Sequence, residues 1–293
     1  MSNKAPTPSQ LSIVLPALNE VAGVGKIIPQ ILDLYPGAEV IVVNDGSTDG
    51  TAEEAQAKGA RVVSHPYRKG NGAAVKTGIR AATREYVVLM DADGQHDPAD
   101  IEKLVEHLGT YELVGGARLD DPVSPIHRRI ANAIYNRFAT YLTQLPILDL
   151  TSGFRALPRK LAMRFCYLLP NTYSYPSTLT LSLVRAGYSV RYVPINIRAR
   201  LGKSKISILR DGVRFLLIMM KVIMLFAPLR VFLPISFLSF VLGITYGGYK
   251  IIVDHHFTPA TLLLLVTSLL TFLMGLIGEQ IAQLRLIRVD EEE

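Results

Sequence analysis

Tryptophan is absent from all 293 residues, so no binding motif that rests on an indole is available to this chain. Cysteine occurs once, at Cys166, which excludes an internal disulfide and a thiolate metal cage. Its neighbours read as an apolar helix, the setting of a buried structural thiol. Met1–Gln10 is polar, carries two prolines and has no apolar core, so no cleavable signal peptide is expected. Charge is missing from two long stretches, Val231–Tyr249 and Phe257–Gly278, each near the length that crosses a hydrocarbon core. A buried core hairpin is the plainer alternative, but two consecutive stretches of this length favour membrane spans.

Hydrophobic residues make up 49% of the chain, and the excess falls after Ile206. A soluble first part and a membrane-associated second part are therefore expected. The formal charge of +6 suits an anionic partner, without choosing among phosphate, nucleotide and lipid headgroup.

From Leu11 to about His107, short runs rich in Val, Ile and Leu alternate with amphipathic segments, as parallel β/α units require. Strands are predicted at Leu11–Pro16, Glu39–Asn44, Arg61–His65, Tyr86–Asp91 and Glu112–Gly116, with a further one at Ser189–Ile197. Helices are predicted at Glu20–Leu34, Thr48–Lys58, Asn71–Thr83 and Pro98–Leu108, the last with Asp97 as N-cap and Pro98 in its first turn. His127–Leu145 places Ile130, Ile134, Phe138, Tyr141, Leu142 and Leu145 on roughly one helical face, to be packed on the domain or laid at a lipid interface. Ile206–Phe226 reads as a helix in the membrane plane, with Arg210, Arg214 and Lys221 on one stripe. Lys and Arg flank the pair of apolar stretches but are missing from the connecting loop Asp254–Pro259. The positive-inside rule then puts both termini and the first domain in the cytoplasm.

Ligands of open α/β sheets sit beyond the carboxyl ends of the strands. Three loops there carry acids: Pro16-Ala17-Leu18-Asn19-Glu20, the Asn44–Gly50 run, and Asp91-Ala92-Asp93-Gly94-Gln95-His96. A single Asp-Gly is usually turn chemistry; three acid-bearing loops at successive strand ends converge on one crevice. Asp91 and Asp93 have the spacing that lets two carboxylates reach one ligand, and hard oxygen donors favour Mg²⁺ or Mn²⁺ with substrate phosphates. Gln95 can add a neutral oxygen. His96 reads as a hydrogen-bonding neighbour.

These loops resemble family 2 of the glycosyltransferases, and within it the polyprenyl- or dolichyl-phosphate sugar synthases. The likeness is carried by Pro16–Glu20, NDGSTDGT from Asn44 to Thr51, and Arg68-Lys69-Gly70-Asn71-Gly72. DADGQH from Asp91, Gly116-Ala117-Arg118, TSGFR from Thr151 and the Arg198–Lys205 stretch complete it. The resemblance implies a GT-A fold: an α/β, open, mostly parallel sheet with helices on both faces, followed by interfacial helices and two transmembrane helices. It implies a donor site of Pro16, Leu18, Glu20, Asp45, Lys69, Asp91, Ala92 and Gln95, and a metal set of Asp91, Asp93 and Gln95 for Mg²⁺ or Mn²⁺. It also implies an acceptor-phosphate site of Arg118, Arg128 and Asn132, with Ala117 standing where such proteins often carry serine. Asp93, Asp149 and Arg200 are the expected catalytic groups. Asp149 could tune or deprotonate the acceptor, or be an ordinary helix-end residue. Arg198, Arg200, Lys203 and Lys205 fit either a loop closing over the donor diphosphate or a basic patch drawn to anionic lipid.

The expected partners are a nucleotide-diphospho-sugar, a polyisoprenyl phosphate and a membrane, with no nucleic acid; self-association through the terminal helices would be compatible. The expected domains are a 1–10 terminus, an 11–200 catalytic domain, a 201–228 basic loop and juxtamembrane helix, 229–285 transmembrane helices and a 286–293 tail. A processive polysaccharide synthase would need a Gln-x-x-Arg-Trp motif, which a chain without tryptophan lacks. A sugar nucleotidyltransferase would open with a glycine-rich, arginine-bearing loop, and a degenerate membrane scaffold would not need Asp45, Asp91 and Asp93 together.

Overall fold

The computed structural model describes residues 5–118, 126–171, 174–197, 220, 224 and 227–290. The chain divides into two compact units, Met1–Ser207 and Ile208–Glu293.

The first unit is an α/β domain on one seven-stranded sheet. In chain order the strands are β1 (Leu11–Ala17), β2 (Glu39–Asn44), β3 (Arg61–Ser64), β4 (Tyr86–Leu89), β5 (Leu113–Ala117), β6 (Arg155–Pro158) and β7 (Val190–Pro194). Their spatial order is β3-β2-β1-β4-β6-β5-β7. Pairing is parallel except around β6, which runs antiparallel between β4 and β5. The helices are α1 (Val21–Leu34), α2 (Thr51–Ala57), α3 (Asn71–Ala81), α4 (Ile101–Val105), α5 (Ile126–Thr143), α6 (Arg159–Phe165) and α7 (Tyr175–Arg185).

Every residue of β1 is buried, as a strand covered on both faces must be. Leu11, Ile13 and Leu15 join Val24, Ile27, Ile28 and Ile31 of α1 in the main core, together with Ile101 and Leu104 of α4. The alternate residue Val14 faces the other way, against Gly78 of α3. Helices thus lie on both faces, as the period of two along the strand dictates.

The structure departs from the sequence reading in several places. β6 and α7 have no counterpart among the predicted elements, because a four-residue strand that runs straight into a helix gives almost no periodic signal; α6 is the apolar helix expected beside Cys166. β4 ends at Leu89, two residues short, so Asp91 leaves the sheet. The Pro98 segment begins as a 3₁₀ turn, with the Asp97 carboxylate accepting from Ala99 N, before α4 starts at Ile101. Cys166 is buried as expected, at the point where α6 tightens into a 3₁₀ turn. α5 packs through Tyr135, Ala139 and Leu142, whereas Ile130, Ile134, Tyr141 and Leu145 from the predicted apolar face are exposed. The predicted in-plane helix at Ile206–Phe226 lies outside the described residues except for Met220 and Met224.

In the second unit, helices Pro228–Asp254 and Pro259–Asp290 form an antiparallel hairpin turned at His255, which sits in the left-handed region at φ 53°. Both are long and apolar enough to cross a membrane. Ser236 Oγ donates to Ser268 O and Ser268 Oγ to Ser236 O, each at 2.9 Å, which stitches the helices by small polar residues. Phe237, Ile252 and Leu263 are exposed around them, an apolar surface suited to lipid.

Candidate active site

The parallel strands β1, β2, β4 and β5 all end at one edge of the sheet. The segment that precedes β6 reaches the same edge, because β6 runs the other way. Five stretches converge there: 18–20, 45–50, 91–96, Arg118, and 149–154.

The first two are cross-braced. Asn19 adopts φ 56°, a conformation that asparagine tolerates better than most residues. Its Oδ1 accepts from Thr48 N, and its backbone N–H donates to Ser47 Oγ, both at 2.9 Å. Glu20 N donates to Thr51 Oγ1 and Val21 N to Asp49 Oδ2. Half-buried Leu18 and Glu20 are therefore held in place by the NDGSTDGT run, and Pro16 is fixed inside β1 opposite Val43.

Asp45 is buried just past β2 and carries three hydrogen bonds. Oδ1 accepts from Lys69 N at 2.8 Å and meets His65 Nδ1 at 2.7 Å; Oδ2 accepts from Gly70 N at 2.8 Å. His65 continues the chain through Nε2 to Thr77 Oγ1 at 2.9 Å. Asp45 thereby ties the 67–70 loop to the sheet edge. The Lys69 ammonium, by contrast, is exposed over the Tyr67 ring.

The Asp91–His96 loop holds two partly exposed carboxylates around buried Ala92. Asp93 Oδ1 accepts from Gln95 N at 3.1 Å, which sets the turn. Two glycines let other segments press on this loop. A Cβ at Gly23 of α1 would stand 2.0 Å from Ala92 O, and one at Gly153 would stand 2.9 Å from Asp91 Oδ2. Asp91 keeps 36% of its side chain open. His96 is packed on the Phe154 ring, with Nε2 3.9 Å from Asp91 Oδ2. Burial pushes the imidazole down to about 4, against the opposing pull of Asp93 and with help from Arg118. It is neutral at neutral pH, so its approach to Asp91 is not an ion pair. Among the described residues, no set of three His, Cys, Asp or Glu side chains could hold a metal. Two carboxylates and a glutamine beside an open face fit a hard divalent ion that completes its shell with phosphate and water oxygens.

At the end of β5, Arg118 forms a two-pronged pair with Asp149: Nε to Oδ2 at 2.6 Å and Nη2 to Oδ1 at 2.9 Å. Nη2 also donates to Thr151 Oγ1 at 2.6 Å. Asp149 accepts from the backbone N–H groups of Arg118, Thr151 and Ser152 as well. Burial alone would raise its carboxyl, but the hydrogen bonds and charge of Arg118 outweigh it and hold the group below the ordinary carboxylate range. Asn136 of α5 seals the loop by donating to Leu148 O at 2.6 Å and accepting from Leu150 N at 3.0 Å.

The structure brings together Pro16, Leu18, Glu20, Asp45, Lys69, Asp91, Ala92, Asp93, Gln95, Arg118 and Asp149 at this one edge. Asn132 lies half-buried on α5. Arg128 stands in the first turn of α5, and its side chain is outside the described residues, as is the whole of Arg200. The sequence reading assigned no role to Asn19, His65, Thr151, Gly153 or Tyr175. Asn19, Thr151 and Gly153 stood inside motifs already singled out; His65 and Tyr175 had no local signal.

A family model described as glycosyl transferase family 2 matches residues 12–165. A second, described as GtrB C-terminal hairpin, matches residues 227–284. A dolichyl-phosphate hexose transferase of Haloferax volcanii is 29% identical, over 70% of this chain and 90% of its own. An undecaprenyl-phosphate mannosyltransferase of Micrococcus luteus is 30% identical, over 66% and 86%. Among solved structures, glucosyl-3-phosphoglycerate synthase from Mycobacterium tuberculosis with Mn²⁺, UDP and glucosyl-3-phosphoglycerate superposes with a TM-score of 0.59. It is 27% identical, covering 73% of this chain and 78% of that one. The same enzyme has also been solved with Mg²⁺ and UDP.

Proposed function

The chain belongs to glycosyl transferase family 2, and we propose that it moves a hexose or N-acetylhexosamine from a nucleotide-diphospho-sugar onto a polyisoprenyl phosphate, inverting the anomeric centre. The GtrB-type hairpin makes it a membrane protein with a GT-A-like domain, and membrane attachment suits a lipid acceptor. The observation that carries the reading is the meeting of Asp91 and Asp93 with the Arg118–Asp149 pair at one sheet edge. It sets a group fit for a metal-diphosphate beside a guanidinium fit for a phosphate monoester.

Asp45 and the braced 16–20 loop would hold the nucleoside, with Lys69 near its phosphates. Asp91, Asp93 and Gln95 would hold Mg²⁺ or Mn²⁺, which when bound offsets the charge that builds on the leaving diphosphate. Arg118, with Arg128 and Asn132 on α5, would grip the acceptor phosphate, and Arg200 would cover the donor. The second pKa of a phosphate monoester lies near 6, so at neutral pH the acceptor is already a nucleophile. Asp149, held ionised by Arg118, then serves to aim that guanidinium rather than to take a proton. Catalysis reduces to alignment and charge neutralisation.

Incubating membranes that contain the protein with labelled nucleotide sugars and polyprenyl phosphate tests this directly. An acid-labile, labelled lipid is expected, and its absence with every donor sinks the proposal. The positive-inside pattern favours both termini and the catalytic domain in the cytoplasm, which reporter fusions at each terminus and in the 255–258 turn would check. Self-association through the hairpin is open to cross-linking.

A further inference from the structure

The 149–154 loop touches both halves of the site, and one buried side chain holds its backbone. Arg155 opens β6 and is wholly buried. Its Nε donates to Ser152 O at 2.7 Å, its Nη2 to Leu150 O at 3.0 Å, and its Nη1 to Thr180 Oγ1 on α7. The two carbonyls on its fork flank Thr151, whose hydroxyl accepts from Arg118. α7 closes on the same loop: Ser177 Oγ donates to Leu150 O at 3.4 Å and Tyr175 Oη to Gly153 O at 3.3 Å. Within the sheet, Arg155 pairs with Leu89 on one side and Gly115 on the other. Those strands lead directly to Asp91 and to Arg118.

Burying a guanidinium is costly, and an apolar side chain would fill the space at less expense. What arginine adds is a rigid plane of donors that fixes two carbonyls relative to each other. At one end of the loop Asp149 grips Arg118; at the other Gly153 abuts the Asp91 carboxylate.

We propose that Arg155 is a positioning residue of the transfer reaction. It fixes the separation between the Arg118–Asp149 pair, which presents the acceptor phosphate, and Asp91, which faces the donor. This rests on the function proposed above. A loosened loop would leave each substrate its own contacts but lose the alignment of the nucleophile behind the anomeric carbon. A misplacement of about 1 Å can cost on the order of 100-fold in rate.

The test uses the full-length protein in detergent. Arg155→Lys keeps the charge but cannot serve both carbonyls from one plane; Thr180→Val removes only the hydroxyl on α7. Arg155→Lys is expected to lower kcat by roughly 10- to 100-fold. Its KM for polyprenyl phosphate and its affinity for UDP or GDP with Mn²⁺ should stay within about threefold of wild type, since neither contact set is removed. Thr180→Val should show the same split more weakly. Amide hydrogen exchange across 149–154 should rise in both. Unchanged exchange there, or binding of both substrates lost in step with a lowered melting temperature, would overturn the proposal. A wild-type protein that makes no lipid product overturns the functional reading instead, and exchange then decides on its own whether Arg155 holds the loop.

Discussion

Gly153 lies directly against Asp91: a Cβ built on it would stand 2.9 Å from Oδ2 and 3.2 Å from Oδ1. The same point is 2.9 Å from the hydroxyl of Tyr175, whose burial, joined by the charge of Asp91, pushes its phenol far up, so it stays a hydrogen-bond donor. A side chain at 153 would have to displace the Asp91 carboxylate or the Tyr175 hydroxyl, so glycine lets the loop before β6 lie against both.

Gly153→Ala should therefore disturb Asp91 before it disturbs the fold. The new methyl is accommodated by shifting the Asp91 carboxylate or the Tyr175 hydroxyl rather than backbone. Affinity for UDP or GDP in the presence of Mn²⁺, measured by calorimetry, is expected to fall while the melting temperature stays close to wild type. Unaltered affinity would show that the Asp91 carboxylate needs no such neighbour.

Asp93→Asn removes one of the two charges proposed to face a divalent ion. Transfer should be abolished while expression and membrane insertion persist, and chelation of divalent ions should silence the wild type in the same assay. A variant keeping most of its rate would refute the metal assignment.

Arg118→Lys replaces a planar fork by a point charge. Lysine cannot meet both oxygens of Asp149 and a phosphate in one geometry. The KM for polyprenyl phosphate should rise by roughly 10-fold or more while the affinity for nucleotide with Mn²⁺ stays close to wild type, if about 1.5–3 kcal/mol of charge-assisted bonding is lost. Equal damage to both substrates would argue that Arg118 is only a structural strut.

Asp149 makes a prediction about pH. Its carboxyl is depressed in the folded state because Arg118 outweighs the cost of burial. A depressed acid stabilises the fold above its unfolded pKa, about 3.9, and that contribution disappears as pH falls through the lower folded value. Asp149→Asn should thus lower the melting temperature at pH 7, because removing one partner of a buried pair leaves the Arg118 charge uncompensated, at a cost of about 3–5 kcal/mol. The gap to wild type should close progressively below about pH 4. A gap independent of pH would mean that the charge of Asp149 is not what matters.

The sequence by itself determined the strands that feed the crevice, the acids at their ends and the two long apolar helices. Those signals are local: runs of Val and Ile that a doubly covered strand needs, Asp beside Gly at a strand end, and charge-free stretches long enough for a bilayer. Tertiary structure decided what closes the site. A short antiparallel β6 reverses the chain, so that Asp149 reaches Arg118, Gly153 reaches Asp91, and Arg155 pins the loop between them. It also decided which face of α5 is buried, since Tyr135, Ala139 and Leu142 fit the domain surface while Ile130 and Ile134 do not meet it. Contacts between residues tens of positions apart depend on register and strand direction, and neither is written in the periodicity of any single segment.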